Sequence, residues 1–212
     1  MCLATQMVLE QPISFSFTAA SLRPELLRIV AEAYMQTGFW ASAKAQVLAA
    51  NALQCRSASS AIRLERELRK RLETLTRDQL VFITQATAED RAAIAWLAAC
   101  KRTRFVFDFA AEVLRDKLAA HDPVLRPSDY EAFVENKGLA YPELAQLTPL
   151  SKSKIRQVLL RMLTEAGILA AGEALGNIQR PVLSPSVARL IIADSSNWLA
   201  GFLVPDAEIT SR

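Results

Sequence analysis

The chain has 212 residues, 51% of them apolar and 22% charged, with 25 Lys and Arg against 22 Asp and Glu. That composition excludes intrinsic disorder and suits one or two globular domains with a sizeable core. A formal net charge of +3 and a pI near 8.9 are mildly basic and assign no partner as single numbers.

With 6 Gly and 9 Pro and apolar residues recurring mostly at helical spacing, the expected class is mainly α. Phe15 and Phe17, alternating with serines, are the one early strand-like piece. A helix is expected over about 22–37, stopped by Gly38, followed by a shorter one over 40–50 and a long one over 57–75. Thr76 with Gln79 and Ser128 with Glu131 have capping-box spacing, and Thr87 with Asp90 is a weaker version, so helices should begin near each. Ala92 to Cys100 and Phe105 to Leu118 read as two buried helices separated by the basic knot 101–104. His121 suits the end of a helix, where a cation complements the dipole. The proline-containing segment 121–127 is the natural boundary between an N-terminal domain, 1–125, and a C-terminal one, 126–212.

The C-terminal half continues with a helix through Asn136, a short one over 142–147, a break at Thr148 and Pro149, and an amphipathic helix over 151–166 ended by Gly167. Ile168 and Leu169, then 178–182, flank a Gly-containing loop, 170–177, as the strands of a small hairpin would. Ser184 and Pro185 mark a further helix start.

The charge is unevenly placed. Residues 56–71 hold six cations against Glu65 and Glu67, a net +4; Lys101, Arg102 and Arg104 add +3; Lys152, Lys154, Arg156 and Arg161 add +4. These islands total +11, so the rest of the chain carries −8. On the 57–75 helix, Ala61, Leu64, Leu68, Leu72 and Leu75 share one stripe, while Arg56, Ser59, Arg63, Arg66 and Lys70 gather opposite, with Glu65 and Glu67 at the edges. The 40–50 helix lies a short turn upstream, which is helix-turn-helix spacing. On the 151–166 helix, Ile155, Val158, Leu159, Met162 and Leu163 form the apolar stripe. Its exposed side then carries Ser153, Lys154, Gln157, Arg161 and Thr164, with Lys152 and Arg156 flanking, and with the hairpin behind it the layout is a winged helix-turn-helix with Arg180 on the wing. Cations and amides at these positions suit phosphates and base edges of duplex DNA.

Other chemistries are poorly supported. Cys2, Cys55 and Cys100 are scattered and have one histidine to assist them, so no metal or disulfide framework is expected; Cys100 reads as a buried helix residue. No phosphate-cradling Gly-rich loop or nucleophile–base constellation occurs, so neither catalytic residue, cofactor nor small-molecule substrate is expected. Mean hydropathy is +0.15, but the longest uncharged stretches fall short of the roughly 20 apolar residues a spanning helix needs. The opening MCLATQMVLEQP lacks a basic n-region, so a cytoplasmic protein is expected. Asp129, Glu131, Glu135 and Glu143 form an acidic stretch that reads as a solvated surface or a docking face for a basic partner. Trp40, Trp96, Phe105, Phe107 and Phe109 read as core.

Several segments resemble the BrxA proteins of BREX bacteriophage-exclusion systems: 16–22, 47–69, 97–105, 112–116, 128–133, 142–144 and 155–168, in one register from about Phe15 to Val204. The resemblance implies a small, helical, non-catalytic component of a defence island, binding DNA through helix-turn-helix-like elements in the 56–71 block and the Arg156 and Gln157 helix. The expected function is a DNA-binding accessory protein whose partners are double-stranded DNA and other BREX proteins. The rival reading is an adaptor that docks protein through the same units and makes no direct DNA contact.

Overall fold

The computed structural model describes residues 15–144, 146–170 and 176–210, and the first fourteen residues, with Cys2 and the opening judged above for a leader, lie outside them. Eleven α-helices are defined within this range: α1 Pro24–Thr37, α2 Trp40–Ala49, α3 Ala58–Leu72, α4 Arg77–Gln85, α5 Ala88–Arg102, α6 Arg104–Asp108, α7 Arg115–Ala119, α8 Pro127–Ala140, α9 Pro149–Glu165, α10 Pro185–Asp194 and α11 Asp206–Thr210. A π-helical stretch, Phe109–Leu114, joins α6 to α7, and 3₁₀ turns occupy Ser16–Ala19, Pro142–Leu144 and Ser196–Phe202.

Local chemistry sets most helix starts. Thr76 and Gln79 exchange side-chain and backbone hydrogen bonds, a capping box that opens α4. Ser57, Thr87, Thr148 and Ser184 each accept an N–H from three residues downstream, opening α3, α5, α9 and α10. Gly38 ends α1 at φ 73°, a left-handed position that costs glycine nothing. His121 takes the equivalent left-handed position after α7, with its backbone N–H on the Leu118 carbonyl.

Three expectations are corrected. Helix α8 starts at Pro127, so Ser128 is not its cap; the Asp129 carboxylate instead accepts the Arg126 backbone N–H at 2.7 Å, because proline's fixed φ already suits the first helical position. Phe15 and Phe17 are not in a strand: the segment coils into the Ser16–Ala19 turn, and both rings pack on the same partner, Phe105, at 5.5 and 6.4 Å. The expected wing has no strands among the described residues. Leu169 faces Ile178 in an isolated antiparallel bridge and Asn177 faces Val124 in another, so two short contacts replace a ladder; the loop residues 171–175 lie outside the described range.

The core runs without interruption through both halves of the chain. An aromatic chain crosses it: Phe15 on Phe105, Phe105 on Phe133 of α8 at 5.1 Å, Phe133 on Phe109 at 5.1 Å, and Phe109 on Tyr130 at 5.8 Å. Edge-on pairs of this kind add to what their buried area supplies. Polar links follow the same route. The Trp96 indole donates to the Gly201 carbonyl, Gln79 donates to the Leu190 carbonyl, and Glu165 of α9 accepts the Leu22 backbone N–H at 2.7 Å.

Candidate nucleic-acid interface

Helices α1, α2 and α3 pack on one another, with Ala61, Leu68 and Leu72 of α3 buried against them. On the opposite side of α3, Arg56, Ser59, Arg63 and Arg66 are exposed, and the three arginines have no carboxylate partner among the described residues. Ser59 stands in the first turn, its hydroxyl 3.2 Å from that of the capping Ser57. Lys70 is exposed as well, but its ammonium sits 2.8 Å from Glu73.

The remaining cations of this island have a structural role. Arg71 is 1% exposed; its guanidinium donates to the Ser21 and Ala20 carbonyls at 2.7 Å, to that of Phe17 at 3.3 Å, and to Glu67 at 3.0 Å. It clamps the N-terminal turn onto α3. Burial pulls its pKa down, and the Glu67 carboxylate beside it opposes that pull. Arg69 bridges Glu65 and Glu73 at 2.9 and 2.6 Å. Glu65 and Glu67 are therefore buried on the inner side of α3, not at the edges of its cationic face.

Helix α9 buries Ile155, Val158, Leu159, Met162 and Leu163 as its periodicity demands. Its basic residues divide between two directions. Lys154, Gln157 and Arg161 face solvent, with the Lys154 ammonium 3.4 Å from the Gln157 amide oxygen and Arg161 held 3.1 Å from Glu165. Lys152 and Arg156 line a groove against α8, and the Arg156 guanidinium lies 5.8 Å over the Tyr130 ring. Arg180 is committed elsewhere: both of its terminal nitrogens bind Glu208 of α11, at 2.7 and 2.6 Å. In the central island, Lys101 pairs with Asp194 at 2.8 Å and Arg104 with Asp108 at 2.5 Å.

Sequence reasoning missed the groove and the Tyr130 contact. The available signal was the i, i+4 placement of Tyr130 and Val134 on one side of the helix, beside the core residue Phe133. Burial pushes the Tyr130 phenol up to about 12 from an ordinary 10.0, against a smaller downward pull from Arg156. The neutral phenol's contribution to stability is therefore full below pH 10 and is lost as pH rises through about 12. An alkaline absorbance titration of the protein, minus that of Tyr130→Phe, should show a tyrosinate midpoint near 12; a midpoint near 10 contradicts the burial account.

Among the described residues, no group of His, Cys, Asp and Glu could hold a metal ion, and no helix is long and apolar enough to cross a membrane. Cys100 is buried, its thiol pushed well up by burial first and by Asp108 second, which is unsuited to nucleophilic work. Trp96, Phe105, Phe107 and Phe109 are core residues, and Trp40 stacks half-buried on Tyr34 at 3.9 Å.

Fold and surface together define an all-helical protein with separate cationic strips on α3 and α9. Comparisons with known proteins narrow this class. A family model described as BrxA matches residues 11–195, and the chain belongs to the BrxA family. It is 27% identical over 150 residues to the BREX protein BrxA of Bacillus cereus (strain H3081.97), covering 71% of this chain and 75% of that one. It is 27% identical over 140 residues to the BREX protein BrxA of Escherichia coli O9:H4 (strain HS), covering 66% of each. The crystal structure of an uncharacterized protein from Magnetospirillum magneticum shares the fold, with a TM-score of 0.78 at 18% identity over 91% of this chain and 98% of that one.

Proposed function

We propose that this protein is a cytoplasmic, non-catalytic DNA-binding component of a BREX phage-defence system, gripping duplex DNA chiefly through phosphates and working alongside other BREX proteins. The observation that carries this reading is the α3 face and the turn before it, where Arg56, Arg63 and Arg66 reach solvent without a carboxylate partner among the described residues. A fold that needed these residues only for solubility would intersperse acids among them; here the acids next to Arg63 and Arg66 in sequence, Glu65 and Glu67, are buried beneath the helix. Ser59 beside them, and Lys70 once it exchanges Glu73 for phosphate, extend the strip. Lys154, Gln157 and Arg161 of α9 supply a second strip, with Lys152 and Arg156 on its flank. In this reading residues 1–125 and 126–212 each contribute one basic helix. Family membership supports the BREX setting.

Fluorescence anisotropy of a labelled duplex at several salt concentrations tests the proposal. Three to five phosphate contacts predict a log–log salt slope of roughly −3 to −4.5. Absence of binding at about 50 mM salt, where counterion release favours it most, overturns the reading.

A further inference from the structure

Helices α8 and α9, with the Pro142–Leu144 turn, line a groove of about 550 Å³ whose apolar lining includes Tyr130, Val134 and Leu144. Its walls carry opposite charge. Glu131 and Glu135, one turn apart on α8, form the acidic wall, and Lys152 and Arg156, one turn apart on α9, form the basic one. None of the four has an ion-pair partner among the described residues, although matched acids and bases stand on facing helices. The two ladders have the same i, i+4 spacing, so each can meet the other in register. An isologous interface requires this property of a single patch: the surface must complement itself across a two-fold axis. Leu150, at the head of α9 and 82% exposed, adds an apolar side chain two residues from Lys152.

We infer that the α8–α9 groove is a homodimer interface, in which Glu131 and Glu135 of one copy face Lys152 and Arg156 of the other. Tyr130 holds Arg156 over its ring, so one basic partner is already positioned before the copies meet. This inference does not rest on the DNA reading, and its test contains no DNA.

Sedimentation velocity of the full chain at micromolar concentrations and low salt should show a dimer that dissociates as salt rises. Lys152→Glu/Arg156→Glu and Glu131→Lys/Glu135→Lys, each checked for helical content, should each weaken self-association at least tenfold. An equimolar mixture of the two variants should restore it, because the fully acidic patch then meets the fully basic one. Gly138 supplies a control without charge change: a Cβ there meets nothing within 4 Å, so Gly138→Leu should fold while its side chain blocks the groove and dissociates the dimer. A monomeric wild-type chain, a dimer indifferent to Gly138→Leu, or a mixture that stays monomeric overturns the inference.

Discussion

Arg71→Ala is expected to cost about 3–5 kcal/mol of folding stability, the range for removing one partner of a buried ion pair. The substitution leaves the Glu67 carboxylate in the core without its guanidinium and strips donors from the carbonyls of Phe17, Ala20 and Ser21. Arg71→Lys should recover part of the loss, since an ammonium retains the charge but cannot reproduce the planar fork that reaches four acceptors at once. Arg63→Ala, four positions from Glu67 but exposed, should stay within about 0.5 kcal/mol. Urea denaturation followed by circular dichroism measures all three. The cycle completed by Glu67→Ala and the double variant should show strong coupling, because the acid loses its reason to be buried when the base is gone. A loss below about 1 kcal/mol for Arg71→Ala would mean that water screens this pair and that the clamp on the N-terminal turn is unimportant.

The DNA reading makes its largest claim at Arg63 and Arg66. At about 0.1 M salt each phosphate contact contributes roughly 0.9 to log K, so Arg63→Ala/Arg66→Ala should weaken duplex binding about sixtyfold and lower the salt slope by about 2. Lys154→Ala/Arg161→Ala should do less, about tenfold, because Arg161 already has Glu165 at 3.1 Å and gains less by exchanging it for phosphate. Anisotropy titrations of both variants against a shared duplex make the comparison. Equal losses would give the two strips equal weight; an unchanged affinity for the α3 variant would remove that helix from the interface.

The helices were legible because their signals are local. Thr76 with Gln79, Thr87, Ser184 with Pro185 and Gly38 act within one turn, and their geometry is set before tertiary packing intervenes. The core stripes of α3 and α9 follow from period alone. Arg71 was not legible: by residue type it belongs to a basic run, and only the arrival of the 17–21 carbonyls turns it inward. Glu65 and Glu67 misled for the same reason, since a carboxylate defaults to solvent unless a distant partner accepts it. Phe15 and Phe17 alternate like strand residues, yet two alternating rings specify no pairing partner, and the 3₁₀ turn lets both reach Phe105. The wing failed similarly, because Ile168, Leu169 and Ile178 are apolar enough to be buried without building a ladder. The division of α9's cations between solvent and groove needed the position of α8, which no helical wheel contains.

The aromatic chain from Phe15 to Tyr130, together with the Glu165 to Leu22 link, joins the part of the molecule bearing α3 to the part bearing α9. The two cationic strips are consequently held at one spacing by the packing between them. A duplex spanning both would have to be the compliant member, bending to the protein's spacing at an elastic cost that pyrimidine–purine steps lower. Such a molecule could favour some sequences over others through their stiffness, at base pairs that no side chain reaches.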